Sequence, residues 1–124
     1  MHVKVDSGFG RNGFTPATFD AALAKLVPLA KEGVLHIVGQ WSHLAVADAP
    51  DVPEFVAATD RQVENFKDFT RRMEVADIAP EIRHLANTAA TLRVRRFILS
   101  SPARVLACMV MRLIRPWARL ARMI

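Results

Sequence analysis

The sequence predicts an α/β fold of about three parallel strands joined by crossover helices. Three observations predict it. Short apolar strands alternate with amphipathic helical stretches, the connections are long enough for crossovers, and polar residues gather at the strand ends. At 124 residues the chain is one domain at most, and with 52% hydrophobic residues it has material for a core. A closed barrel needs eight strands, so this order reads as half of a (β/α) barrel or a piece of an open α/β sheet. No internal repeat is visible.

His2 to Val5 reads as the first strand, followed by Ser7 to Gly13, a loop with three glycines. Thr15-Pro16 opens a helix, with threonine as N-cap and proline at the first helical position. Phe19, Ala22, Leu23, Leu26 and Ala30 recur at helical spacing and form its buried stripe. Gly33 closes it, and Pro28 inside the span predicts a kink or an earlier end. Val34 to Ser42 reads as a second strand, apolar enough to be buried on both faces. Residues 44–59 read as a loop with Pro50 and Pro53, and the next helix is expected to start at Thr59, with Gln62 completing a capping box. Val63, Phe66, Phe69, Thr70 and Met73 carry its buried face. Ile82 to Leu85 is the third strand, followed by the small-residue run Ala86 to Thr91.

Charge divides the chain in two. Nine basic residues against all twelve acids give residues 1–92 a charge of −3, and eight arginines with no acid give residues 93–124 a charge of +8. Such asymmetry points first to a nucleic-acid or membrane arm. The one cysteine, Cys108, excludes an internal disulfide and fits a reducing cytosol. The start of the chain alternates like a strand and carries no signal peptide. The longest apolar stretch, Val105 to Ile114, is broken by Arg112 and too short to span a bilayer.

In parallel α/β folds ligands sit beyond the carboxyl ends of the strands. Arg11 follows the first strand, His43 the second, and His84, Asn87 and Thr88 lie at or after the third, while Lys4 sits within the first. Taken singly these are weak signals. A lone glycine-rich loop rarely binds phosphate, a lone strand-end histidine is more often a satisfied structural group, and a strand lysine usually faces solvent. No metal-ligand spacing and no Ser/His/Asp arrangement is present.

Together they resemble a known family. His-Val-Lys-Val-Asp-Ser-Gly-Phe-Gly-Arg-Asn-Gly (residues 2–13) is similar to the alanine racemase segment H-x-K-x-D-T-G-x-x-R-x-G. Gly39-Gln40-Trp41-Ser42-His43-Leu44 with Ala47-Asp48 resembles G-x-x-(S/T)-H-x…A-D, and Gln62 with Phe66 resembles Q-x-x-x-F. His84-Leu85-Ala86-Asn87-Thr88-Ala89-Ala90 resembles H-x-A-N-S-A-A. The four motifs occur in the family's order and cover residues 2–92.

The resemblance implies part of a (β/α)8, TIM-type barrel that carries pyridoxal phosphate in a homodimer acting on a small amino acid. It implies that Arg11 hydrogen-bonds the cofactor's phenolic oxygen, and that Lys4 matches a lysine carbamylated in some members, which would orient Arg11. His43 matches the histidine packed against the pyridine ring. Asn87 and Thr88 match the Asn-Ser pair near the phosphate, with threonine keeping the hydroxyl. His84 matches the histidine supporting an arginine that faces the pyridine nitrogen. Ser7 stands where threonine is usual. The lysine that carries the cofactor belongs to a segment before those seen here, and the opposing base is a tyrosine, of which this chain has none. Racemisation needs a base on each face of the α-carbon, so a polypeptide of these residues is expected to be inactive alone.

Residues 93–124 show nothing of the family's next segment, R-P-G-x-x-x-Y-G. Joining the third base of each codon to the first two of the next forces glycine at Met109-Val110 and at Trp117-Ala118, and allows only tyrosine or histidine at Cys108-Met109. The junctions from Pro102 to Val105 permit Arg-Pro-Gly at the family's spacing. The tail is therefore expected to be out-of-frame translation, with the slip near Thr91–Arg96. Read instead as a folded element, Val105 to Ile124 is a basic helix for an anionic membrane or RNA; the frame reading is preferred, so no nucleic-acid or membrane partner is expected.

The sequence thus reads as a cytoplasmic alanine racemase fragment, residues 1–92, with an arginine-rich tail, residues 93–124, and an ancestral role in supplying D-alanine for peptidoglycan. Two alternatives stand beside it: a non-catalytic module that binds pyridoxal phosphate or an intact racemase subunit, and a related barrel racemase for another amino acid.

Overall fold

The computed structural model describes residues 1–85, 87 and 90. The order is β1 (His2–Lys4), α1 (Pro16–Lys31), β2 (Gly39–Trp41), α2 (Pro53–Val75) and β3 (Ile82–His84). The strands form one parallel sheet in the order β1-β2-β3. Val5 adds a single bridge to Phe14 beyond β1.

Alternation along the strands sorts their side chains onto two faces. Val3 of β1, Val5 just after it, Leu44 after β2 and Leu85 after β3 are buried in one core with Phe19 and Leu23 of α1 and Val63, Phe66, Phe69 and Met73 of α2. Phe19 and Phe69 meet edge to face at 4.8 Å between centroids, which locks the two helices together. Arg72 closes the seam from outside, lying over both rings and pairing with Asp20.

Gln40, Ser7 and Ser42 share this buried face, and each is satisfied. Gln40 is fully buried; its Oε1 accepts from the Thr70 hydroxyl at 2.9 Å, and its Nε2 donates to the Phe66 carbonyl at 3.5 Å. The Ser7 and Ser42 hydroxyls bond each other at 2.9 Å, tying the end of β1 to the end of β2. An unpaired buried amide would be costly, so these contacts are a condition of the packing.

Helix α1 starts as the sequence predicts. Pro16 is its first residue, and the Thr15 N–H donates to the Thr18 hydroxyl at 3.0 Å. It runs through Pro28 to Lys31, so the earlier end allowed for at Pro28 does not occur. Gly33, just past the cap, takes φ 74° and ends the helix.

Two expectations are corrected. The second strand does not span Val34 to Ser42. It is Gly39–Trp41, and Val34 is 64% exposed. The N–H groups of Val34 and Leu35 bond back to the Leu29 carbonyl and so close α1 instead of joining the sheet. Helix α2 does not start at Thr59 but at Pro53, with Val52 as N-cap. Proline fits the first helical position, and Thr59 sits inside the helix with its hydroxyl donating to the Phe55 carbonyl at 2.8 Å. Gln62 is not a capping-box partner. Its Oε1 accepts from the Ala45 N–H and its Nε2 donates to the His43 carbonyl, so it pins the segment after β2 to α2.

Candidate active site

The last residues of the three strands stand in one row. Lys4 pairs in register with Trp41, and Trp41 with His84. Paired residues of a parallel sheet point to the same side, here the side away from Val3, Gln40 and Leu85. One step toward the amino ends lies the row His2, Gly39 and Ile82. The His2 ring rests directly over Gly39, where any side chain would collide with it. No helix among the described residues covers this face.

Beyond the row, Arg11 and His43 join it. The Lys4 ammonium lies 4.4 Å from the Trp41 ring centroid, and the Arg11 guanidinium 4.8 Å from that of Phe9. The Phe9 ring meets His43 edge-on at 5.3 Å. Burial pushes the His43 imidazole below its ordinary value, and the positive charges of Arg11, Lys4 and His84 push it further the same way. Burial also lowers His84, with His2 adding to the effect. The carboxyl ends of β1, β2 and β3 thus bring Lys4, Arg11, His43 and His84 into one cluster with two aromatic rings.

Asp6 is the nearby carboxylate, and the backbone engages it. Its Oδ1 accepts from the N–H groups of Gly8, Phe9 and Gly10 at 2.9, 2.9 and 3.1 Å. Burial alone would raise its pKa; these bonds and Lys4 outweigh it and leave the carboxyl below its ordinary range. The glycine loop is therefore not a phosphate cradle, because its N–H groups already face an internal anion. Its work is to carry Phe9 and Arg11 out from β1 and over the strand ends.

Asn87 lies beside the cluster. Its Nδ2 donates to the Leu44 carbonyl at 3.3 Å and its Oδ1 accepts from the Ala90 N–H at 2.9 Å. Thr88 and the arginine-rich tail lie outside the described residues. Sequence reasoning missed Trp41 and Phe9 as parts of the site. Trp41 could have been found, since it lies two residues before His43 and shares its face by strand periodicity. Phe9 could not, because loop position carries no periodic signal.

The donor set suits a flat, anionic ligand: a lysine, an arginine and two imidazoles that can donate, with two aromatic rings beside them, while the Asp6 carboxylate is taken up by backbone N–H groups. Pyridoxal phosphate has that chemistry, and the residues present fit it.

The family described as the N-terminal domain of alanine racemase matches residues 1–105. The chain is 42% identical over 92 residues to the alanine racemase of Thermobifida fusca, covering 74% of this chain and 24% of that protein. It is 41% identical over 92 residues to the alanine racemase of Frankia casuarinae, covering 74% and 23%. Among solved structures it superposes on the Streptomyces lavendulae alanine racemase with a TM-score of 0.68 and 36% identity, over 75% of this chain and 23% of that one. The Bacillus anthracis alanine racemase, solved with bound L-Ala-P, gives 0.64 and 29%, over 77% and 23%. The chain spans about a quarter of the length of the curated relatives it matches. These matches decide between the two readings of the sheet, making β1, β2 and β3 part of a TIM-type barrel. Fold and similarity agree, and the chain belongs to the alanine racemase family, within its N-terminal domain.

Proposed function

We propose that this chain supplies the cofactor-facing strand ends of a pyridoxal-phosphate-dependent alanine racemase, an isomerase that interconverts L- and D-alanine. The observation that carries the reading is the row Lys4, Trp41 and His84, with Arg11 and His43 gathered beyond it on the helix-free face. When bound, pyridoxal phosphate acts as the electron sink for the carbanion at the amino acid's α-carbon. Arg11 would donate to its phenolic oxygen, and His43, whose pKa burial and neighbouring cations lower, would pack against its ring. Lys4, if carbamylated, would become an anion able to orient Arg11. His84 would support the group facing the pyridine nitrogen, and Asn87 and Thr88 would hold the phosphate. Substrate enters as a small amino acid and the working unit is a homodimer. The cell-wall precursor role and cytoplasmic location follow the same reading; among the described residues no helix is long and apolar enough to cross a membrane.

Neither base of a two-base racemisation is assigned among these residues: the lysine of the motif segments is Lys4, and the sequence contains no tyrosine. A polypeptide of these 124 residues is therefore expected to show no alanine racemisation and no stoichiometric visible absorption band with pyridoxal phosphate. A band abolished by Lys4→Ala alone would overturn this. The family reading is tested by replacing the aligned segment of the Thermobifida fusca racemase with residues 2–92. The chimera should racemise alanine, and Arg11→Ala within it should lower kcat by about 100-fold or more. A folded chimera that holds no cofactor would sink the reading.

For residues 93–124 we propose out-of-frame translation of the same gene. The family match to residue 105 overlaps the first part of that segment. The nucleotide sequence tests the idea directly, since codons 93–124 must spell R-P-G-x-x-x-Y-G in the shifted frame.

A further inference from the structure

Arg11 sits on an exposed loop that leaves β1 through three glycines at positive φ: Gly8, Gly10 and Gly13. Such a loop leaves a long side chain many orientations. Among the described residues no hydrogen bond or ion pair reaches the Arg11 guanidinium. What does lie against it is the Phe9 ring, at 4.8 Å. Phe9 is anchored at both ends: its N–H is held by the Asp6 carboxylate at 2.9 Å, and its ring is set edge-on to His43 at 5.3 Å. His43 is fixed in turn, because Gln62 of α2 takes its carbonyl.

We infer that Phe9 is a positioning residue, whose ring, set edge-on to His43 from a backbone N–H that Asp6 holds, places the Arg11 guanidinium over the strand ends. The inference deepens the proposed racemase reading and rests on it for its functional meaning, but the geometric claim is testable without cofactor. A cation stacked on an aromatic face keeps its outward N–H groups free to donate, which an ion pair would consume. Phe9 thus aims Arg11 without neutralising it. An aliphatic side chain would fill the space but offer no π face.

The test reads the His43 ring proton by NMR across a pH titration of the full 124-residue chain. The charged groups around this imidazole are Arg11 and Lys4 from the β1 end and His84 from β3. Arg11→Gln removes one cation and should move the His43 midpoint upward. Phe9→Leu should move it upward in the same way, because the guanidinium swings off, while Phe9→Tyr, which keeps the face, should titrate like the parent. The deciding variant is Phe9→Leu combined with Arg11→Gln. If Phe9 acts through Arg11, the double variant matches Arg11→Gln alone. An additive upward shift would mean that Phe9 only buries His43, and would overturn the inference. So would a Phe9→Leu midpoint unchanged from the parent while Arg11→Gln moves. Loss of cofactor binding in the chimera with these shifts intact would instead count against the racemase reading alone.

Discussion

At Asp6 one carboxylate takes three backbone N–H groups that a glycine-rich loop would otherwise offer to a ligand. Its folded pKa is depressed, so its contribution to stability is complete above the ordinary carboxyl value of 3.8 and is lost as the pH falls through the lower folded value. Asp6→Asn should cost about 1–2 kcal/mol at neutral pH, and urea titrations should show that acid-linked loss of stability shrinking in the variant. The histidines act in the other pH range. His43 and His84 are both held below 6.5, by burial first and neighbouring positive charge second. The unfolded chain therefore binds more protons than the folded one as the pH drops through that value, and stability should rise as the pH climbs through 6.5. A flat profile in urea unfolding across that pH would contradict the burial of both rings, and His43→Gln should reduce the slope.

Elements are held by a few contacts that can be removed one at a time. Gly13 has φ +111°, and a Cβ there would lie 2.9 Å from the Val5 carbonyl carbon, whereas Gly10 has φ +77° and open space around it. Gly13→Ala should cost about 3 kcal/mol and Gly10→Ala about 1 kcal/mol, read as the difference between their urea midpoints. Thr70→Val strips Gln40 of its hydroxyl donor and should cost about 1–2 kcal/mol, while the pair Thr70→Val with Gln40→Met should cost less than the sum of the single changes. At this scale the sequence was informative where a local rule had no rival. Thr15-Pro16 fixed the start of α1, and the Val63, Phe66, Phe69 and Met73 spacing fixed the buried face of α2. It misled where two rules competed. Thr59 satisfies the N-cap preference, yet Pro53 starts the helix two turns earlier and leaves Thr59 an internal hydroxyl bonded to Phe55. Val34 to Val38 are apolar enough for a strand, but the end of α1 claims the first two amides. At the strand ends, the structure gathers Lys4, Arg11, His43 and His84, the residues the motifs had singled out. That the lysine lies over Trp41, and the arginine over Phe9, depends on which residues oppose one another across strands and loop, which no single stretch of sequence records.

For the molecule as a whole, both helices pack on one face of the sheet, and among the described residues β1 and β3 each pair with a single neighbour. Unpaired strand edges are templates for association. Sedimentation of the 124-residue chain should show an average mass that climbs with concentration, and a strictly monomeric profile would mean that the edges are covered. The same one-sided packing separates two jobs that many proteins mix. Val3, Gln40 and Leu85 hold the wall up, while their sequence neighbours Lys4, Trp41 and His84 look the other way. Stability and chemistry are thereby assigned to alternate letters of the same short words. Among those letters Gly39 cannot be rewritten, because the His2 ring fills the space a side chain would need, whereas a change at Lys4, Trp41 or His84 alters the open face and leaves Val3, Gln40 and Leu85 in place.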